Sequence, residues 1–281
     1  MRPGLCLLLS LVLSPLNAQE AGDISWTVLF DGHSLENWDT YLGPAFKPGV
    51  SSENMRNEPV LGLNNDSLKV FSIVALEGER VLRISGENWG GIATRQSYEN
   101  FHLQLQFKWG EIKWYPRDAP TDKRDSGLLY YGVGKQGEGD GFWLRSQEFQ
   151  IQEGDCGDYW GVAGAIADIN AIKKEDGNYY YDANGPLLTF SPENAAGRNC
   201  KKFPDAENPS GEWNTIDLYC HEGNSVHMVN GVVTMVLKNS RMIDGNDFLP
   251  LVKGKIQLQS ESAEIYYKDI RIRPIEELPK F

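Results

Sequence analysis

The chain has 281 residues, of which 41% are apolar and 11% aromatic, and a formal charge of −12. This composition fits a folded globular chain and excludes a disordered one, and its 29 Gly and 14 Pro follow no three-residue period, which excludes collagen. A chain this acidic repels phosphate backbones, so nucleic acid is not expected as a partner.

Residues 1–18 read as a signal peptide. Arg2 supplies a positive start, residues 5–13 form an apolar run, Pro15 breaks it, and Ala18 is a small residue before a cut at Gln19. The run is too short for a mature membrane anchor, and no other stretch is apolar enough to be one. The expectation is an exported protein, periplasmic or extracellular, with one domain over residues 19–281. Cleavage leaves Cys156, Cys200 and Cys220, an odd number in a compartment that permits disulfides. Cys156 and Cys200 lie in Gly-, Asp- and Asn-rich loops and are candidates to pair. Cys220 shares an alternating face with Ile216 and Leu218 and reads as a buried thiol.

Along the mature chain, period-two alternation recurs and helical periodicity is scarce. Short strands are expected at 26–30, 67–74, 80–85 and 91–94. Residues 102–109, HLQLQFKW, set Leu103, Leu105 and Phe107 on one face and Gln104, Gln106 and Lys108 on the other. A strand at 127–131 follows. Residues 142–152, FWLRSQEFQIQ, oppose Phe149 and Ile151 to Glu148, Gln150 and Gln152. Residues 215–220 and 255–261 also alternate, and 265–272 is a last strand. Asn230-Gly231 is a two-residue hairpin signal, since both turn positions need positive φ. So many strands with turn punctuation predict two packed antiparallel sheets, all-β. The segments 43–66 and 168–212 read as long loops that rim a site.

The polar faces carry the functional signal. Glu148, Gln150 and Gln152 are about 7 Å apart in steps along one strand. Gln257, Gln259 and Glu261 repeat the arrangement, and Gln104, Gln106 and Lys108 form a third row. Amides and carboxylates suit sugar hydroxyls, and an aromatic ring suits the apolar face of a pyranose. Trp89, Trp109, Trp114, Trp143 and Trp160 fall near these rows. The GDCG loop at 154–157, with Asp155 and Asp158, is a candidate for a hard divalent cation such as Ca²⁺, although Asp in turns also serve simply as turn formers. The four histidines show no zinc-ligand spacing, and there is no nucleophile elbow, phosphate loop or dinucleotide fingerprint.

Several segments together resemble the 3-keto-disaccharide hydrolase family. They are WTVLFDG at 26–32 with Leu35 and Trp38, DSGL at 125–128, SQEFQIQEGDCGDYW at 146–160, GEWN at 211–214, the hairpin Asn230-Gly231, LQSE at 258–261 and DIRI at 269–272. The resemblance implies a concanavalin A-like jelly-roll sandwich exported by a bacterium. It also implies a glycoside or oligosaccharide substrate whose sugar carries a ketone at C3.

Ordinary glycosidases need two carboxylates at set separations. Gln150 stands two residues after Glu148, where a same-face acid would be. Glu153, five residues on, faces the other side of an unbroken strand and would pair with Glu148 only through a bulge, so it is named with the substrate-binding residues instead. A 3-keto sugar removes that need, because its C2 proton is acidic and the C1 substituent can leave by elimination, with water adding back. On this reading Glu148 is the catalytic base and Lys113, or Lys108, stabilises the enolate. Gln150, Gln259 and Glu261 hold hydroxyls, and Trp109 or Trp160 stacks on the ring. The alternative is a carbohydrate-binding module with no chemistry. Turnover of an unoxidised glucoside would instead mark an ordinary glycosidase.

Overall fold

The computed structural model describes residues 25–45, 47, 49 and 58–280, and period-two alternation recurs among its strands. The segment read as a signal peptide lies outside these residues. In chain order the strands are β1 (Thr27–Val28), β2 (Trp38–Pro44), β3 (Val60–Leu63), β4 (Phe71–Leu76), β5 (Glu79–Ile84), β6 (Gly90–Thr94) and β7 (Phe101–Lys113). There follow β8 (Asp125–Val133), β9 (Arg145–Gln152), β10 (Tyr159–Val162), β11 (Ala165–Lys173), β12 (Tyr179–Tyr181), β13 (Leu187–Phe190) and β14 (Asn199–Cys200). The last are β15 (Asn214–His221), β16 (Asn224–Val229), β17 (Val232–Asp244), β18 (Asp247–Pro250), β19 (Lys255–Ser260) and β20 (Ala263–Pro274). Among the described residues no helix is long and apolar enough to cross a membrane.

The strands form two antiparallel sheets. One runs β12-β11-β17-β16-β15-β7-β20-β5-β4, with β1, β13 and β18 attached, and the other runs β14-β10-β9-β8-β19-β6-β2-β3. This is the all-β, concanavalin A-like jelly-roll sandwich expected. Its core is built by alternation. Leu103, Leu105 and Phe107 point in from β7, and Phe149 and Ile151 point in from β9, all fully buried. Burying one face of each strand fixes its register, because a one-residue slip would turn the whole apolar set outward. The Asn230-Gly231 hairpin joins β16 to β17 with φ of 50° and 79°, as its residue types require.

Three expectations change. Neither long segment is one loop, because 43–66 holds the end of β2 and all of β3, and 168–212 holds the end of β11 and all of β12, β13 and β14. The strand expected from 142 begins at Arg145, and Phe142 and Trp143 instead pack with Leu129 and Val162 as a cover over the eight-stranded sheet. Cys156, Cys200 and Cys220 are free buried thiols. Cys156 packs in the inter-sheet core, whereas Cys200 packs in a separate cluster with Tyr159 and Phe190, so the 156–200 bridge is not formed.

One glycine ties the fold to the site. Gly86 has φ +78°, and a Cβ there would lie 2.4 Å from the Ala263 backbone nitrogen. Its carbonyl accepts from the Ser262 N–H at 3.1 Å, which holds the turn before β6 against the β19–β20 connection. Gly86→Ala is therefore expected to cost roughly 2–3 kcal/mol. Denaturant unfolding measures this, and a loss below about 0.5 kcal/mol would show that the turn relaxes freely.

Candidate active site

On β9 the residues that alternate with the core set face away from the twelve-stranded sheet. They open into a cleft of about 240 Å³. Pairing brings its floor together. Glu148 lies opposite Trp160 of β10 and Leu129 of β8, and Gln150 lies opposite Gly127. Gln259, on β19, pairs with Gly91 of β6, and Glu261 follows directly at the end of that strand. Gly127 is what allows Glu148 and Gln259 to meet. A Cβ at that position would lie 2.4 Å from Glu148 Oε1 and 2.3 Å from Gln259 Oε1.

One end of the cleft is built by the loop between β7 and β8. Arg117 donates through Nη1 to Asp125 and, through Nη2, sits 2.9 Å from Glu261 Oε1. Its guanidinium lies 5.5 Å from the Trp89 ring centroid. Gln152 Nε2 donates to Asp125 Oδ2 at 2.6 Å, so an amide braces the arginine's carboxylate anchor. Trp89 Nε1 donates to Ser262 Oγ at 2.6 Å, and its ring stacks on Trp143 with centroids 6.0 Å apart. At the other end Arg198 stacks over Trp160, 4.9 Å from the ring centroid, and donates to the Gly161 carbonyl at 3.1 Å.

The two acids are perturbed in the same direction. Burial, reinforced by the Glu261 carboxylate, pushes Glu148 up to about 8, while Arg198 and a hydrogen bond from Gln259 pull the other way. Burial also raises Glu261, to about 7, and Arg117 opposes it most. The pair shares each other's field and titrates together. Three buried acceptors at the cleft, Gln150 Oε1, Gln259 Oε1 and Asp125 Oδ1, have no hydrogen-bond partner within the protein. Orphaned buried acceptors are costly unless a ligand or water satisfies them, and sugar hydroxyls are donors of the required kind.

Glu148, Gln150, Gln152, Trp89, Trp143, Trp160, Gln259 and Glu261, all named from sequence, therefore converge on one cleft. The others do not. Trp109 shares the inward face of Leu105 and Phe107 and is core, so its ring cannot stack on a ligand in the cleft. Lys108 belongs to the row with Gln104 and Gln106 on the outer face of the twelve-stranded sheet, where it pairs with Glu77 at 2.5 Å. The core separates that row from the cleft. Lys113 donates to the carbonyls of Ala119, Pro120 and Asp122, so it shapes the loop that carries Arg117 rather than reaching the cleft. Glu153 pairs with Arg124 at 3.1 Å, outside the cleft lining. Gln257 is covered, with its Oε1 accepting from the Leu144 N–H at 3.0 Å.

In the GDCG loop, Asp155 meets Lys123 at 2.5 Å and Lys201 at 3.4 Å, and Asp158 meets Lys201 at 3.2 Å. These carboxylates are neutralised by ammonium groups. Among the described residues no three His, Cys, Asp or Glu side chains converge as a metal set. Sequence reasoning did not single out Arg117, Asp140 or Arg198. Each comes from a loop without periodicity, and their only signal was position in a connection between strands that carry cleft residues.

The sequence profile of the 3-keto-alpha-glucoside-1,2-lyase-like domain matches residues 25–273. No curated protein matches the chain. Among solved structures, a candidate glycosyl hydrolase from Parabacteroides distasonis ATCC 8503 is similar at 17% identity and a TM-score of 0.48, covering 89% of this chain and 94% of that one. A second from the same organism is 20% identical with a TM-score of 0.47, covering 89% and 100%. A carbohydrate-binding module, CBM66 from Bacillus subtilis, is 8% identical with a TM-score of 0.39, covering 72% and 91%. With its match running over nearly the whole described chain, the protein belongs to the 3-keto-alpha-glucoside-1,2-lyase-like domain family.

Proposed function

We propose that the chain is an exported carbohydrate-active enzyme that cleaves the C1–O bond of a 3-keto-α-glucoside by elimination. The observation that carries this reading is the pair Glu148 and Glu261, buried together beside Arg117 in one cleft with raised pKa values. In such a pair the arginine favours ionisation of its own partner. Glu261 is the carboxylate that takes the C2 proton, and Glu148 keeps its proton and donates it to the glycosidic oxygen. Glu148 thus has the acid's part rather than the base's, because Arg117 makes its ion pair with Glu261.

The atoms balance. The C2–H bond breaks toward Glu261, a C1=C2 double bond forms, the C1–O bond breaks, and the leaving oxygen takes the proton from Glu148. The products are a 2-hydroxy-3-keto-glycal and the free aglycone. Water adding across the double bond would complete a net hydrolysis. Arg117 faces the negative charge that develops on the C3 oxygen, in the place expected for Lys108 or Lys113. Gln150 and Gln259 accept from the sugar hydroxyls, and the walls Trp89, Trp143 and Trp160 exclude water.

The test is incubation with methyl 3-keto-α-glucoside and with its unoxidised parent, with and without chelator, followed by NMR of the products. The expected result is the unsaturated ketone, or its hydrate, from the keto sugar and no product from the parent. Equal cleavage of the parent would mark a conventional glycosidase. Saturable binding of both without product would mark a binding module. Loss of turnover with chelator would bring a divalent cation into the reaction.

A further inference from the structure

A second cavity of about 300 Å³ opens beyond Trp160, at the β14 edge of the eight-stranded sheet. Two connections wall it. The end of β11, the turn after it and the start of β12 supply Lys173, Asn178 and Tyr179, and the segment leading into β14 supplies Asn194 and Arg198. Trp160 and Arg198 line both this cavity and the catalytic cleft, so the two adjoin.

Its charge is unusual for the molecule. The chain has a net charge of −12, yet the cavity's lining includes Lys173 and Arg198 and no Asp or Glu. Asp176, in the same turn, is engaged by the backbone N–H and amide of Asn178 and by the Tyr180 hydroxyl. Asp140 lies 3.8 Å from Arg198 and faces the catalytic cleft. Aromatic rings and amides suit a sugar ring, and two cations without a carboxylate suit an anion on it.

We infer that this cavity is the subsite for the leaving group, and that it favours a second sugar ring bearing an anionic substituent, a uronate carboxylate or a sulfate ester. The inference rests on the elimination reading, and its placement follows from register. Glu148 lies directly opposite Trp160, so the proton it donates is delivered at the junction of the two cavities, where the glycosidic oxygen belongs. The sugar that reacts lies on the Arg117 side, and the ring that leaves lies on the Lys173 side.

The test compares four 3-keto-α-glucosides on the full chain, with methyl, neutral hexosyl, uronosyl and sulfated hexosyl aglycones. An acidic ring is expected to raise kcat/KM about fivefold over the neutral hexosyl substrate, and added salt should erode the difference. Lys173→Gln is expected to bring the ratio toward one. Preference for either anion supports the subsite and identifies the charge it takes. Equal kcat/KM for neutral and acidic rings overturns it. If all four substrates stand unreacted, the elimination reading fails, and the subsite is decided separately by calorimetric titration of the unoxidised acidic and neutral disaccharides. Tighter binding of the acidic one, weakened in Lys173→Gln, supports the subsite, and equal affinities overturn it.

Discussion

Glu261→Gln is expected to lower kcat on a 3-keto-α-glucoside by roughly 10²–10⁴, whatever the leaving group, because it removes the carboxylate that takes the C2 proton and that Arg117 holds in the cleft. Glu148→Gln should fall as far on a methyl glycoside, whose alkoxide needs a proton to depart. On a nitrophenyl glycoside, which leaves without protonation, its loss should shrink to about tenfold or less. This contrast separates the acid from the base. Equal losses for Glu148→Gln on both substrates would remove it from the acid's part, and a Glu261→Gln enzyme rescued by the better leaving group would exchange the two assignments. The pH dependence follows the same logic. Activity needs one acid of the pair ionised and the other protonated, and burial raises both, so the rate should peak above the ordinary carboxylate range and fall on either side.

The second large effect is on stability. Glu148 has a folded-state pKa of about 8 against an ordinary value of 4.5. Between these two values the folded chain holds a proton that the unfolded chain has released. Stability therefore falls as pH rises through that window, by about 1.4 kcal/mol per pH unit for each such proton. Below the unfolded value both states are protonated, and the contribution is fully present. Glu261, raised in the same direction, adds to the slope. Glu148→Gln removes one of these protons from the balance. Its denaturation midpoint should match or exceed that of the parent chain at pH 8.5, and the two should approach each other at pH 5. Urea unfolding at pH 5, 7 and 8.5 measures the slopes, and parallel slopes would show that Glu148 stays ionised throughout. Exposed acids such as Asp176, held below the ordinary range by a hydrogen bond from Asn178, act in the opposite sense but only in acid solution.

Both predictions depend on two carboxyls buried side by side at the floor of one cleft, a device known from enzymes that need an acid and a base near neutral pH. The cover supplied by Phe142 and Trp143 and the turn fixed at Gly86 maintain that burial, because they hold the tryptophan walls against the sheet. Gly127 contributes by omission. Its missing side chain is the space in which Glu148 and Gln259 face each other.

Much of this was legible one strand at a time. Side chains alternate with a strict period of two, so HLQLQFKW and SQEFQIQ state which residues enter the core and which do not, and Asn230-Gly231 states its own turn. Trp109, expected as a sugar platform, follows the same alternation one step beyond Phe107 and is core. Which sheet a strand joins is a long-range matter, and there local pattern is silent. Gln104, Gln106 and Lys108 form a row of two amides and one charge, as the β9 row does, yet pairing of β7 with β15 and β20 sets them on the far side of the sandwich. The cations of the cleft were decided in the same way. Arg117 and Arg198 come from loops 81 residues apart, brought to one cavity by the neighbouring positions of β8, β9, β10 and β14 in the sheet. Local sequence determined the faces of the strands. Only tertiary pairing, which depends on contacts remote along the chain, decided which faces meet and which charges stand over them.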